Sequence, residues 1–147
     1  MQPAIQDTYP DEFARCYGCG RLNEHGHRFR TRRDGPGTST EYHPAEIYTG
    51  AADFAYGGLI ASLIDCHSAG SAAIFWMEQN HLVIGSDPTP RFVTARLEVD
   101  YIAPTPLNTM RVGGTAEEIG DRKVIVTSEL TVAGRITARG RAVLVRI

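Results

Sequence analysis

From Gly58 to Met77 one side chain alone is ionised, Asp65. Leu59, Ile60, Leu63 and Ile64 form one apolar stripe, and Ala61, Ala69, Ala72 and Ala73 leave almost no charged face to set in water. The spacing predicts a helix over about Gly57–Glu78, apolar all round, that needs cover on most of its circumference. Asp65, His67 and several Ser and Gly residues interrupt it, which argues against a membrane span. A carboxylate inside such a helix is expensive to bury, so Asp65 needs a partner or a job.

The rest of the chain predicts strands to supply that cover. A first strand is expected near Arg28–Arg33. The turn Asp34-Gly35-Pro36-Gly37 then leads to a second at Thr38–His43. Val93, Ala95, Leu97, Val99 and Tyr101 alternate with Thr94, Arg96, Glu98 and Asp100, the period-two pattern of a half-buried strand that Pro104 and Pro106 end. Strands near Met110–Ile119, around Val124–Val132 and over Arg135–Arg146 follow, separated by turns at Gly120-Asp121 and Ala133-Gly134. Three long antiparallel strands in succession form a meander. A single curved antiparallel sheet wrapped about the helix, with a partner subunit closing the remaining side, meets the helix's need. The fold class is therefore α+β. Residues 1–25 read as a lead-in with a C-x-x-C turn and 26–147 as the folded domain.

A chain of 147 residues can bury a real core. Its formal charge of -2 gives no reason to expect nucleic acid or an acidic membrane as partner. The first residues, MQPAIQDTYPDEFAR, lack a basic stretch followed by an apolar one, so no secretory signal is expected and a cytoplasmic location is the default. Cys16 and Cys19, followed by His25 and His27, can be drawn as a zinc site. The histidines follow almost at once, however, so a reduced pair in a small turn is expected, with no metal. Cys66 and His67 are helix neighbours pointing about 100° apart, which argues against a nucleophile–base pair between them.

Three motifs in order resemble the hotdog-fold thioesterase superfamily, in particular small acyl-coenzyme A (acyl-CoA) thioesterases of the phenylacetate-pathway type. Cys16-Tyr-Gly-Cys-Gly with Asn23 and Gly26 is similar to the C-x-x-C-G-x-x-N-x-x-G start of one branch. Tyr56-Gly57-Gly58-Leu59-Ile60-Ala61 through Leu63-Ile64-Asp65 resembles H-G-G-x-x-A-x-L-x-D. Arg91 to Ala95 through Asp100-Tyr101-Ile102-Ala103-Pro104 resembles a long strand ending in Y-x-x-P. Tyr56 stands where the family has histidine, and Gly50 where some relatives carry Asn or Gln.

The resemblance implies a homodimer joined edge to edge, often paired again into a homotetramer, with active sites built from both subunits. It implies acyl-CoA as substrate, hydrolysed without a cofactor. Asp65 would be general base or nucleophile, the Gly58 amide the oxyanion donor, and Thr94 of the other subunit the hydroxyl that places water. Gly57 permits close backbone approach at the helix N-terminus, where amides and the helix dipole favour a developing oxyanion. Tyr56 can donate a hydrogen bond where the family's histidine would, but is a poor base near neutral pH. Arg91, with Arg96 behind it, is expected to meet the phosphates of CoA, and His67 to line the substrate pocket. The other reading is a non-catalytic acyl-CoA or small-ligand binding protein on the same fold, favoured by Tyr56.

Overall fold

The structure, a computed structural model describing residues 2–147, lays one helix, α1 (Gly57–Gln79), into a six-stranded antiparallel sheet that curves around it. The strands are β1 (Thr31–Asp34), β2 (Gly37–Tyr42), β3 (Phe92–Tyr101), β4 (Met110–Ile119), β5 (Lys123–Val132) and β6 (Arg135–Arg146). They lie in the order β1-β2-β4-β5-β6-β3. The predicted meander is β4-β5-β6. The turn between β5 and β6 puts Ala133 (φ 50°) and Gly134 (φ 77°) both in the left-handed region, as a tight two-residue hairpin demands. Register slips in β3, β4 and β6 add local twist and help the sheet to wrap.

The helix is apolar enough by composition to cross a bilayer, yet 72% of its most apolar window is buried inside the fold. It is the core. Leu59, Leu63, Ile64 and Met77 are fully buried against Met110, Val112, Leu130, Ala138 and Leu144. Small residues on the sheet let it sit close. Gly114, Ser128 and Gly140 stand directly opposite one another across β4, β5 and β6. A Cβ at Gly140 would lie 2.5 Å from Ile64 Cγ2, and one at Gly114 would lie 2.5 Å from His67 Nε2. The half-open side of the middle of the helix is narrow: Ala61, Asp65 and Ala69, four residues apart, with Ser62 beside them.

β3 departs from expectation. Its alternation predicts one buried face, but the strand is an edge with a neighbour on one side only, and Val93 and Tyr101 remain exposed. The residues before β1 also do more than lead in. Short 3-10 turns at Ile5–Thr8 and Asp11–Phe13 carry Ile5, Gln6, Tyr9 and Ala14 into the core beneath α1.

Candidate active site

Asp65 sits on the half-open stripe of α1 and faces β3. Thr94 donates its hydroxyl to Asp65 Oδ1 at 2.6 Å, within the same chain. Burial raises the Asp65 carboxyl above its ordinary range, the Thr94 bond opposes this, and the nearby Cys16 adds to it. A half-buried carboxylate of raised pKa, held by one hydroxyl with its other oxygen unengaged among the described residues, is equipped to take a proton. It borders a cavity of about 360 Å³ together with Thr94, Arg91, Cys16, Cys19 and Cys66. Arg91 lies over the Phe13 ring, its guanidinium carbon 5.7 Å from the ring centre.

The helix N-terminus lies elsewhere. No side chain caps α1, and among the described residues the amides of Gly57 and Gly58 have no hydrogen-bond partner. Tyr56 precedes them, and its ring folds over Gly58: a Cβ there would lie 2.5 Å from Tyr56 Cε2. Tyr101, at the far end of β3, donates its hydroxyl to the Gly57 carbonyl at 2.7 Å. Gly57 and Tyr101 border a second cavity, of about 520 Å³, that contains none of the Asp65 group. Seven residues of helix put Gly58 and Asp65 about 10 Å apart along the axis. Within one chain, Gly57 and Asp65 border different cavities.

Thr94 engages Asp65 of its own chain, because β3 lies along the same side of α1 as Asp65. Two sequence expectations need correction. Arg96 does not reach the Asp65 cavity; a bulge at Ala95 breaks the alternation after Thr94, and Arg96 pairs with Glu98 at 2.7 Å. His67 lines no pocket: it is fully buried, about 100° round the helix from Cys66, in a chain of polar side chains.

That chain runs from Gln6 through Thr31, Thr40, His67 and Ser71 to Thr38, with links of 2.9, 2.9, 2.8, 3.3 and 2.6 Å. The Gln6 amide donates to Thr31, and in the remaining links the His67 tautomer sets which partner donates. His67 is neutral, because burial lowers its pKa to about 3. It is a structural residue.

The structure also brings together what sequence spacing hid. Cys66 meets Cys16 and Cys19, the three sulfurs lying within 4.8 Å of one another. His25 and His27 stay apart from them. His25 pairs with Glu24 at the surface, and His27 stacks on Phe29 and bonds Tyr42. Cys16 ionises most easily of the three. Bonds from Cys19, from Cys66 and from the Cys19 and Gly18 amides lower its pKa to about 2, and it in turn pushes Cys19 up to about 12. Cys66 is raised as well, by the Cys16 and Cys19 thiols and by burial.

No protein-family model matches the chain, and no curated protein matches it. Solved structures do. A thioesterase superfamily protein from Shewanella loihica PV-4 is 35% identical, covering 95% of this chain and 99% of its own, with a TM-score of 0.71. The PaaI protein of the phenylacetic acid degradation operon of E. coli is 14% identical over 81% of this chain and 79% of its own (TM-score 0.65). BH2602 of Bacillus halodurans, crystallised with CoA, is 16% identical over 86% and 81% (TM-score 0.66). The last two share the fold.

Proposed function

The chain belongs to the thioesterase superfamily, and from that premise we propose that it hydrolyses an acyl-CoA thioester to the free acid and CoA. The observation that carries this reading is the Asp65–Thr94 pair in its cavity. Thr94 fixes one carboxylate oxygen, and the other takes a proton from water as that water attacks the thioester carbonyl. The tetrahedral oxyanion then collapses, the carbon–sulfur bond breaks, and the thiolate recovers a proton to leave as CoA. Arg91 at the cavity rim supplies a cation for the CoA phosphates. CoA in the Bacillus halodurans protein of the same fold supports that choice of ligand.

The oxyanion donor comes from a second copy. β3 has an open edge and ties each of its ends to α1, Thr94 to Asp65 and Tyr101 to Gly57. Antiparallel pairing of two β3 strands about a two-fold axis sets the Tyr101 end of one beside the Thr94 end of the other. The unpaired Gly57 and Gly58 amides of one subunit thereby approach the Asp65 cavity of its partner, where neither could serve its own. Tyr56, with its ring over Gly58, governs access to that amide.

The test is thiol release from short, long and aromatic acyl-CoA thioesters by wild type and Asp65→Asn side by side. Removing a general base lowers the rate by about a hundred- to ten-thousandfold. Hydrolysis that survives in Asp65→Asn overturns the mechanism. Tight acyl-CoA binding with no release by wild type establishes the binding-protein reading, which Tyr56 over the glycine amide favours.

A further inference from the structure

The Cys16–Gly26 motif takes no step in the hydrolysis proposed above, yet every special residue in it serves one end. A side chain at Gly18 would overlap the Cys66 sulfur, one at Gly20 the backbone of Ala14 and Cys16, and one at Gly26 the Tyr17 carbonyl. Asn23 donates to the Arg15 carbonyl at 3.2 Å and accepts from the His25 amide at 3.1 Å. Together they close a tight loop that delivers Cys16 and Cys19 to Cys66, 50 residues beyond Cys16.

The sulfur geometry is that of ligands rather than of a bond. All three cysteines are free, and the Cys16 and Cys66 sulfurs are 3.8 Å apart. Thiolates at about 2.3 Å from a tetrahedral zinc stand about 3.8 Å from one another. All three cysteines border the cavity that holds Asp65.

We propose that Cys16, Cys19 and Cys66 bind one thiophilic divalent cation, zinc by class, as three thiolates whose fourth coordination position faces the Asp65 cavity. Soft sulfur ligands select zinc over magnesium or calcium. Three protein ligands and a free position distinguish such a site from a closed four-ligand structural one. The thiols release their protons as the ion enters. Once bound, the ion clasps the loop before β1 to the helix turn that carries Asp65, and so forms one wall of the reaction cavity.

The experiment is metal analysis of protein expressed in zinc-supplemented medium and purified under reductant, for wild type, Cys16→Ser and Cys66→Ser. One zinc per chain is expected in wild type and a small fraction of that in either variant. Cobalt exchanged into the wild-type protein guards against a variant that fails to fold. It should give thiolate-to-cobalt charge-transfer bands and the strong visible bands of a tetrahedral ion, with three thiols shielded from a thiol reagent until chelator is added. Zinc retained in Cys66→Ser overturns the proposal, because the ion then sits elsewhere. So does metal-free wild type whose thiols react at once, or a disulfide among them in protein isolated without reductant.

Discussion

Gly140→Ala is the sharpest test of how the helix lies on the sheet. The new methyl would fall 2.5 Å from Ile64 Cγ2 and 2.8 Å from Ser128 Oγ, where carbon atoms rest at about 3.5–4.0 Å. About 1 Å of overlap must be relieved. Ile64 is fully buried and β-branched, so in a helix it has one strongly preferred rotamer and Cγ2 cannot swing aside. Either the side chain leaves its rotamer, costing about 0.5–1.5 kcal/mol, or helix and sheet part, and overpacking of this kind costs about 1–3 kcal/mol in all. Gly113→Ala, one residue from the Gly114–Gly140 row, is the control. Its methyl meets only the Thr38 carbonyl at 4.0 Å, so reduced chain freedom in the unfolded state stabilises it by about 0.4–1 kcal/mol. Urea unfolding at fixed protein concentration reads both. Ile64→Leu moves the branch off Cβ, so the double variant should recover about 0.5–3 kcal/mol relative to the sum of the singles. Gly140→Ala as stable as wild type, or additive with Ile64→Leu, would refute the packing argument.

Thr94→Val removes a hydrogen bond to a carboxylate, worth about 1.5–3 kcal/mol, and should lower kcat/KM for acyl-CoA about ten- to a hundredfold, while Thr94→Ser retains activity. Equal loss in both variants would show that the hydroxyl is not what matters. Arg91→Ala should raise KM for CoA thioesters about tenfold at unchanged kcat, with no effect on a thioester that lacks phosphates. His67 makes stability acid-sensitive. Its folded pKa, near 3, lies below the unfolded value of about 6.5, so the unfolded chain binds the extra proton. Stability is therefore lost as pH falls from about 6.5 toward 3, by about 1.4 kcal/mol per unit. Unfolding free energies of wild type and His67→Gln should converge on acidification, and parallel curves would contradict the buried neutral histidine.

The central helix was legible because it answers to local rules. An apolar run opened by Gly57-Gly58 predicts Gly57–Glu78, and α1 is Gly57–Gln79. The meander followed from period-two patterns and two turns for the same reason. Pairings across distance were not legible. Nothing about Cys66 in its own segment points to Cys16, since the contact depends on a loop whose glycines make room for a sulfur far along the chain. His67 read as a pocket residue because a histidine beside a candidate carboxylate invites it. Its true surroundings are hydroxyls on β1 and β2, which reach the helix only once the sheet has closed. Arg96 was misplaced by one extra residue in the strand, and a bulge leaves no compositional trace.

The two ends of the sheet are unlike. At one lies β1, four residues long and bearing Arg32, Arg33 and Asp34; at the other lies β3, ten residues long with Val93 and Tyr101 uncovered. Short, charged borders resist recruitment of further strands, whereas long open ones invite it. A body with a single adhesive border cannot polymerise through its sheet: joining two such borders consumes both and leaves only repellent ones outward. The polarity of the strand order thus sets a ceiling on growth, and a chain that completes its site with a second copy, as proposed above, is spared the fibre that self-recognition risks.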